Sequence, residues 1–314
     1  MAPPSEIAKS ILSELVYFDV FEHPLTAMEL WRYCSVAGAQ LTNILDELGH
    51  NDWLRARVDQ RWGMYFLRGR DHVVELRMIR YRESEAKYLK ALRFANRLAA
   101  FPFIRMIAVC NSLAYSNSRS DGDIDLFFIT APGRIWTARW HVTGYLKVLG
   151  ERPTRQVTRD KICASFFIAP EAFDLRTMKI SQSDIYLAHW VKQIVPIYDS
   201  ADWYQKFMAA NAWAEEYFPH GYPIQPALTR RVASSRPRLA MQKTFETVYR
   251  GAVGDAFEKM YERIQRRLLP DELRRLAGQD TRVVMTPTML KFHENDRRAM
   301  YQERWLERCK ELGV

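Results

Sequence analysis

An Asp-Ile-Asp triplet at the head of an apolar run, Asp123-Ile124-Asp125-Leu126-Phe127-Phe128-Ile129-Thr130, constrains this 314-residue chain more than any other feature. The run reads as a strand over 123–130. Side chains alternate along a strand, so Asp123 and Asp125 share one face while Ile124, Leu126 and Phe128 share the other. Carboxylates held side by side repel, which argues against a purely structural role for the pair in an apolar strand. Two divalent cations about 3.5–4 Å apart would give them one, since such ions stabilise the attacking and leaving oxygens of a phosphoryl displacement. Upstream, Ile104 to Cys110 reads as another strand and Asn111-Ser112 as a small polar turn, with ten residues between Ser112 and Asp123. Pro132-Gly133 ends the acidic strand, a helix is expected from Arg134 to Leu149, and Ile162 to Ile168 supplies a third strand.

Around this centre the chain divides into three spans: 1–72, 73–200 and 201–314. In the first, apolar residues at helical spacing from Glu6 to about Val20 stop at His23-Pro24. Thr26 can cap a second helix to about Ser35, and Gly38 opens a third from Ala39 to Leu48. Trp53 to Val58, a polar turn at Asp59 to Arg61, and Gly63 to Leu67 read as a hairpin. Three helices and a hairpin is the order of a winged helix-turn-helix. The third helix, which would enter the DNA major groove, carries no Arg or Lys over Gln40 to Glu47, so packing or partner docking is favoured over base reading. Residues 73–100 read as a long Arg-rich amphipathic helix with a solvated charged face. Beyond Asp174 the chain reads mainly helical, with breaks at Pro196, Pro219 to Pro226 and Pro270. The fold class is therefore α+β.

Composition adds limits. Lys plus Arg number 46 against 37 Asp plus Glu, a net charge of +9 that favours polyanionic partners and equally fits a solvated basic surface. The four cysteines, Cys34, Cys110, Cys163 and Cys309, form no metal-ligand pair and read as reduced thiols. No signal peptide and no apolar stretch of about 18 residues is visible, so a cytoplasmic protein without a membrane partner is expected.

The strand, serine turn, spacer and Asp-x-Asp strand together resemble the nucleotidyltransferase superfamily with the DNA-polymerase-β-like fold. The resemblance extends to uncharacterised bacterial nucleotidyltransferase-domain proteins with a winged-helix-like start, through Tyr17 to Thr26, Pro132 to Arg139, Lys161 to Cys163 and Leu290 to Arg298. It implies a central mixed sheet with flanking helices, Mg²⁺ (or Mn²⁺) on Asp123 and Asp125, and a nucleoside triphosphate held by the turn at Asn111 and Ser112. A nucleoside monophosphate would pass to an acceptor (small molecule, protein or RNA) that the family group does not identify. Two departures stand out. The glycine of the family's turn is Asn111, which tolerates positive φ but does not let a phosphate approach as closely. The third strand lacks the family's third carboxylate; Ser165 takes the plausible place and Asp160 lies just before.

Arg134 and Arg139, at the start of the helix after the acidic strand, are candidates to clamp phosphates or are plain surface arginines. Trp136, Trp140 and His189 read as core. His293 lies in a capping segment where Asn295 or Asp296 would start a helix to Leu312; folded back over the nucleotide, that segment would offer Lys291 and Arg297. Two other functions fit the same residues: a catalytically silent protein that binds nucleotide or a partner, and a winged-helix DNA-binding regulator.

Overall fold

The computed structural model describes residues 4–233 and 235–314, so the first three positions of the expected 1–72 span lie outside the described residues. The N-terminal region contains α1 (Glu6–Asp19), β1 (Leu25–Thr26), α2 (Ala27–Arg32), α3 (Leu41–His50), α4 (Asp52–Arg55), β2 (Val58–Arg61) and β3 (Met64–Leu67). Ser5 Oγ accepts the Ala8 N–H and starts α1. Thr26 and Glu29 cap each other's backbone and start α2. Helix α3 begins two residues later than its apolar pattern suggests, because Asn43 Oδ1 accepts the Gln40 N–H and fixes the first turn there. The hairpin also shifts. Asn51 caps a helical turn over Asp52–Arg55, and the tight turn falls at Trp62-Gly63, both at positive φ (55° and 75°), which suits a two-residue hairpin. Strand β1 adds to the hairpin to give the order β1-β3-β2.

The 27-residue helix α5 (His72–Leu98) leads into β4 (Ile104–Val109), α6 (Asn111–Ala114), β5 (Ile124–Thr130), α7 (Ile135–Val148) and β6 (Ile162–Ile168). Next come α8 (Ile185–Gln193), β7 (Val195–Asp199), α9 (Trp203–Ala210), α10 (Arg236–Val248), α11 (Gly251–Leu268) and α12 (Asp271–Leu276). A hairpin of β8 (Val283–Met285) and β9 (Met289–Phe292) precedes α13 (Arg298–Leu312). The mixed sheet has the order β7-β4-β5-β6-β9-β8; β5 and β6 run parallel, joined by the crossover through α7, and the other pairs are antiparallel.

Three strands therefore come from segments that read as helical or as breaks. Val195–Asp199 forms an edge strand around Pro196, a position where a missing N–H is tolerated. Val283–Met285 and Met289–Phe292 close the opposite edge, so the C-terminal region contributes to the central sheet as well as helices.

The two sheet faces divide the core. Ile107, Val109, Ile124, Leu126, Phe128 and Phe167 pack under α5 and α7, through Ala91, Ala95, Trp136 and Val142. Met106, Ala108, Phe127, Ile129, Phe166 and Ile168 face α8 and α9, and that cluster continues through Leu12, Leu15, Val16 and Phe18 of α1. The N-terminal helices are thus packed into the same apolar core as the sheet. Their attachment is polar as well: Arg57 Nε donates to Leu312 O at 3.1 Å and Arg32 Nη2 to Lys192 O at 2.9 Å. No helix among the described residues is long and apolar enough to cross a membrane.

Candidate active site

Alternation along β5 places Asp125 on the face of Phe127 and Ile129, toward α8. The entry to that strand is clamped from α5. Lys87, almost wholly buried, donates through Nζ to Gly122 O and to Asp160 Oδ1, both at 2.6 Å. One turn earlier Ser84 Oγ accepts the Ser118 N–H at 3.0 Å, and Arg80 reaches Asn117 Oδ1 at 3.2 Å. Positions 80, 84 and 87 share one side of a helix. This side of α5 therefore grips the 117–122 loop, where the charge run alone reads as a solvated face.

Beyond β4 the chain turns at Asn111, whose φ of +55° is the left-handed conformation that asparagine tolerates better than most residues. The side chain has a second use. Asn111 Oδ1 accepts the Trp190 indole N–H at 2.9 Å, and the Asn111 side chain also favours the charged form of Asp125. Turn and acid are joined through the backbone, since Cys110 N donates to Asp125 O at 3.3 Å. Ser112 follows in the turn, its carbonyl accepting the Asn117 N–H at 2.8 Å, and it borders a narrow cleft with Tyr115, Tyr186 and Trp190.

The residue facing the acids from the third strand is Cys163. Parallel pairing sets Cys163 opposite Asp125, and the thiol lies with one oxygen of each of Asp123 and Asp125 inside a 4.8 Å cluster. The register then slips by one residue between Cys163 and Phe166. Ser165, expected in the third position, instead shares a 2.9 Å hydrogen bond with His293 Nε2, while Asp160 is bound to Lys87. Neither position was readable from spacing alone, because a bulge and a parallel register carry no local signature.

Burial, with the adjoining Asp123 charge, pushes Asp125 up to about 7, and burial also raises Asp123. Burial, followed by the charge of Asp125, holds the Cys163 thiol well above its ordinary range. Three donors whose charged forms are disfavoured in the absence of a cation make a fitting set for a divalent metal, whose charge would favour those forms. The sign for stability follows. Each acid binds its proton more tightly folded than unfolded, so its stabilising contribution is complete below the ordinary value of 3.8 and is lost as pH rises through its folded value, about 7 for Asp125. Mn²⁺ is therefore expected to raise the melting temperature by several degrees at about pH 8 and by much less at about pH 5. Equal shifts at both pH values in a thermal melt would show that these acids do not hold the ion.

Arg134 and Arg139 are not brought to this centre. Helix α7 lies across the opposite sheet face, where Arg134 pairs with Asp255 at 2.8 Å and Arg139 donates to Gln265 at 2.6 Å beneath the Phe292 ring. Burial lowers Arg139 to about 9. The N-terminus of α7 already holds an anion, the Glu258 carboxylate, which accepts the Trp136 and Thr137 N–H groups at 2.7 and 2.9 Å. The phosphate-clamp role expected for the two arginines is corrected accordingly. Trp136 lies in the core, and Trp140 stacks on Tyr261.

A cavity of about 180 Å³ opens on the acid-bearing face and shares Asn111 with the turn. Phe166, Tyr186, Leu187 and Trp190 line one side of it. The segment after β9 folds back to form the rest, with His293, Arg297 and Tyr301 among its lining residues. Arg298, buried in the same segment, binds Asp184 at 3.1 Å, Asp296 at 2.8 Å and Met178 O at 2.9 Å. Lys291 is engaged by Asp296 and Thr281 O, and its burial lowers it to about 8. Of the two cations expected to meet phosphate, only Arg297 is exposed and without an ion pair among the described residues. Compared with known proteins, the chain matches no family model, no curated protein and no solved structure.

Proposed function

We propose that the chain is a metal-dependent nucleotidyltransferase that moves a nucleoside monophosphate from a nucleoside triphosphate to an acceptor. The observation that carries this reading is the meeting of Asp123, Asp125 and Cys163 donor atoms within 4.8 Å of one another, beside the turn that follows Cys110, whose N–H donates to Asp125 O. A divalent cation held there would supply charge for the developing pyrophosphate and the attacking oxygen. Asn111 favours the charged form of Asp125, Lys87 fixes the loop that delivers Asp123, and Ser112 with the turn's backbone receives the phosphates. Cys163 in place of a carboxylate makes the donor set softer than an all-oxygen one, which favours Mn²⁺ over Mg²⁺. Titration calorimetry with a non-hydrolysable triphosphate should show binding that requires Mn²⁺ or Mg²⁺. Absence of binding with either ion would remove the proposal.

One observation favours a second reading. The third strand offers a half-buried, protonated thiol where an acid is expected, which suits a protein that binds nucleotide without transferring it. Pyrophosphate release separates the two.

We read the N-terminal helices and hairpin as a winged-helix-like module used for packing. Helix α3 carries no Lys or Arg, its exposed side presents Asp46, and α1 is committed to the core of the protein. A DNA-binding role would need phosphate contacts from that surface. No duplex DNA binding is expected in a mobility-shift assay at about 50 mM salt. Binding that falls steeply with added salt would reinstate the regulator. The four cysteines are unpaired, in keeping with a reducing cytoplasm.

A further inference from the structure

The order β4-β5-β6-β9 gives the proposed site a direction. Ser112 follows β4, Asp125 lies on β5, Cys163 and Ser165 on β6, and His293 directly follows β9. In an in-line displacement the attacking and leaving oxygens lie on opposite sides of the phosphorus. With the triphosphate on the Ser112 side, pyrophosphate departs toward β4 and the attacking group arrives from β6. That approach is where the cavity of about 180 Å³ lies, with Phe166 of β6 in its wall.

Resting on the nucleotidyltransferase reading, we infer that this cavity is the acceptor site, that it takes a small ring-shaped alcohol, and that His293 receives the proton of the attacking hydroxyl. Polar groups lead from the acids to the cavity. Cys163 and Ser165 lie two residues apart on β6, and Ser165 Oγ meets His293 Nε2 at 2.9 Å. With Nε2–H donating to Ser165, the lone pair of Nδ1 is free to accept. Burial, aided by the neighbouring Lys291 and Arg298 charges, lowers His293 to about 4, so the ring is uncharged at neutral pH. The step balances as follows. The acceptor oxygen forms a bond to the α-phosphorus, the bond from that phosphorus to the bridging oxygen breaks, pyrophosphate leaves with the electron pair, and the hydroxyl proton passes to His293 Nδ1.

The walls define the acceptor's class. The cavity is smaller than the roughly 300–1,000 Å³ usual for drug-sized ligands, so it admits about one ring. Tyr186, Trp190 and Tyr301 offer apolar faces to the C–H side of such a ring. Lys291 and Arg298 are neutralised by Asp184 and Asp296, which leaves Arg297 as the single uncommitted cation of the cavity wall among the described residues. A neutral cyclic polyol or monosaccharide, or its monophosphate, fits this balance better than a polyanion.

The test uses the full chain with Mn²⁺ and each common triphosphate, offered myo-inositol, D-glucose or D-glucose 1-phosphate, with products identified by mass. Transfer to at least one of these is expected; the free and phosphorylated glucose distinguish a neutral from an anionic acceptor. Leu187→Trp, which fills the cavity, should lower that transfer by at least about tenfold while calorimetric triphosphate affinity stays unchanged. His293→Gln should slow turnover about a hundredfold with little change in KM for the alcohol, and it carries the test if Leu187→Trp does not fold. Labelling of RNA or protein with none of the three alcohols, triphosphate binding without transfer to any of them, or a His293→Gln variant at full rate overturns the inference and leaves the nucleotidyltransferase reading standing. Failure to bind triphosphate removes that reading and this inference with it.

Discussion

Asp125→Asn should lower nucleotidyl transfer by at least about a thousandfold, equivalent to about 4 kcal/mol of lost transition-state stabilisation. The same change should make the metal-free protein more stable at about pH 8, because a neutral amide replaces an acid that is ionised against burial and the Asp123 charge. The amide has the shape and size of the carboxylate it replaces, so the local geometry survives. The added stability brought by Mn²⁺ should largely vanish in the variant. Activity and stability thus move in opposite directions, which a merely structural acid would not produce. Thermal melts with and without Mn²⁺, set beside a transfer assay, read both effects. A variant that is less stable and still responds fully to Mn²⁺ would show that Asp125 belongs to the scaffold and does not hold the ion.

Arg298→Met should cost about 3–5 kcal/mol of folding stability, since removing one partner strands a buried charge. Asp184 is fully buried, and Arg298 is 5% exposed. The guanidinium also ties Asp296, Met178 O and Thr281 Oγ1, so its loss frees the segment that folds over the cavity. Asp184 has a second duty, accepting the Leu187 N–H at 2.9 Å to start α8. Asp184→Asn keeps that cap while removing the charge. The double variant should therefore be more stable than Arg298→Met alone, with the difference measured by urea unfolding. A loss below about 1 kcal/mol for the single change would mean that solvent reaches the pair and that the segment is held by other contacts.

The β4-turn-β5 region was the most legible part of the chain because its signals are local. Strand alternation gives the shared face of Asp123 and Asp125, and Pro132-Gly133 marks where β5 gives way to the crossover helix. What needed three-dimensional pairing was not legible. Cys163 meets the acids only because β6 runs parallel to β5 in one particular register, and Ser165 is diverted by a one-residue slip. Lys87 looks like any member of an Arg-rich helix until the 117–122 loop is laid across it. Arg139 lies in a helix whose mixed polarity hides which side is buried, and Gln265, its partner, lies more than a hundred residues away. The hairpin of β8 and β9 had cues at Pro287 and its β-branched residues, yet strands of three and four residues are too short to outweigh the helical pattern around them.

Diffraction from crystals of the full chain grown with Mn²⁺ and a non-hydrolysable nucleoside triphosphate, recorded near the manganese edge, tests the proposed chemistry most directly. Anomalous density should fall between Asp123 and Asp125, with triphosphate oxygens on the Asn111–Ser112 side and the cavity beside His293 left open for an acceptor. Manganese bound elsewhere, or a triphosphate seated away from both acids, would contradict the assignment of this face as a nucleotidyltransferase centre.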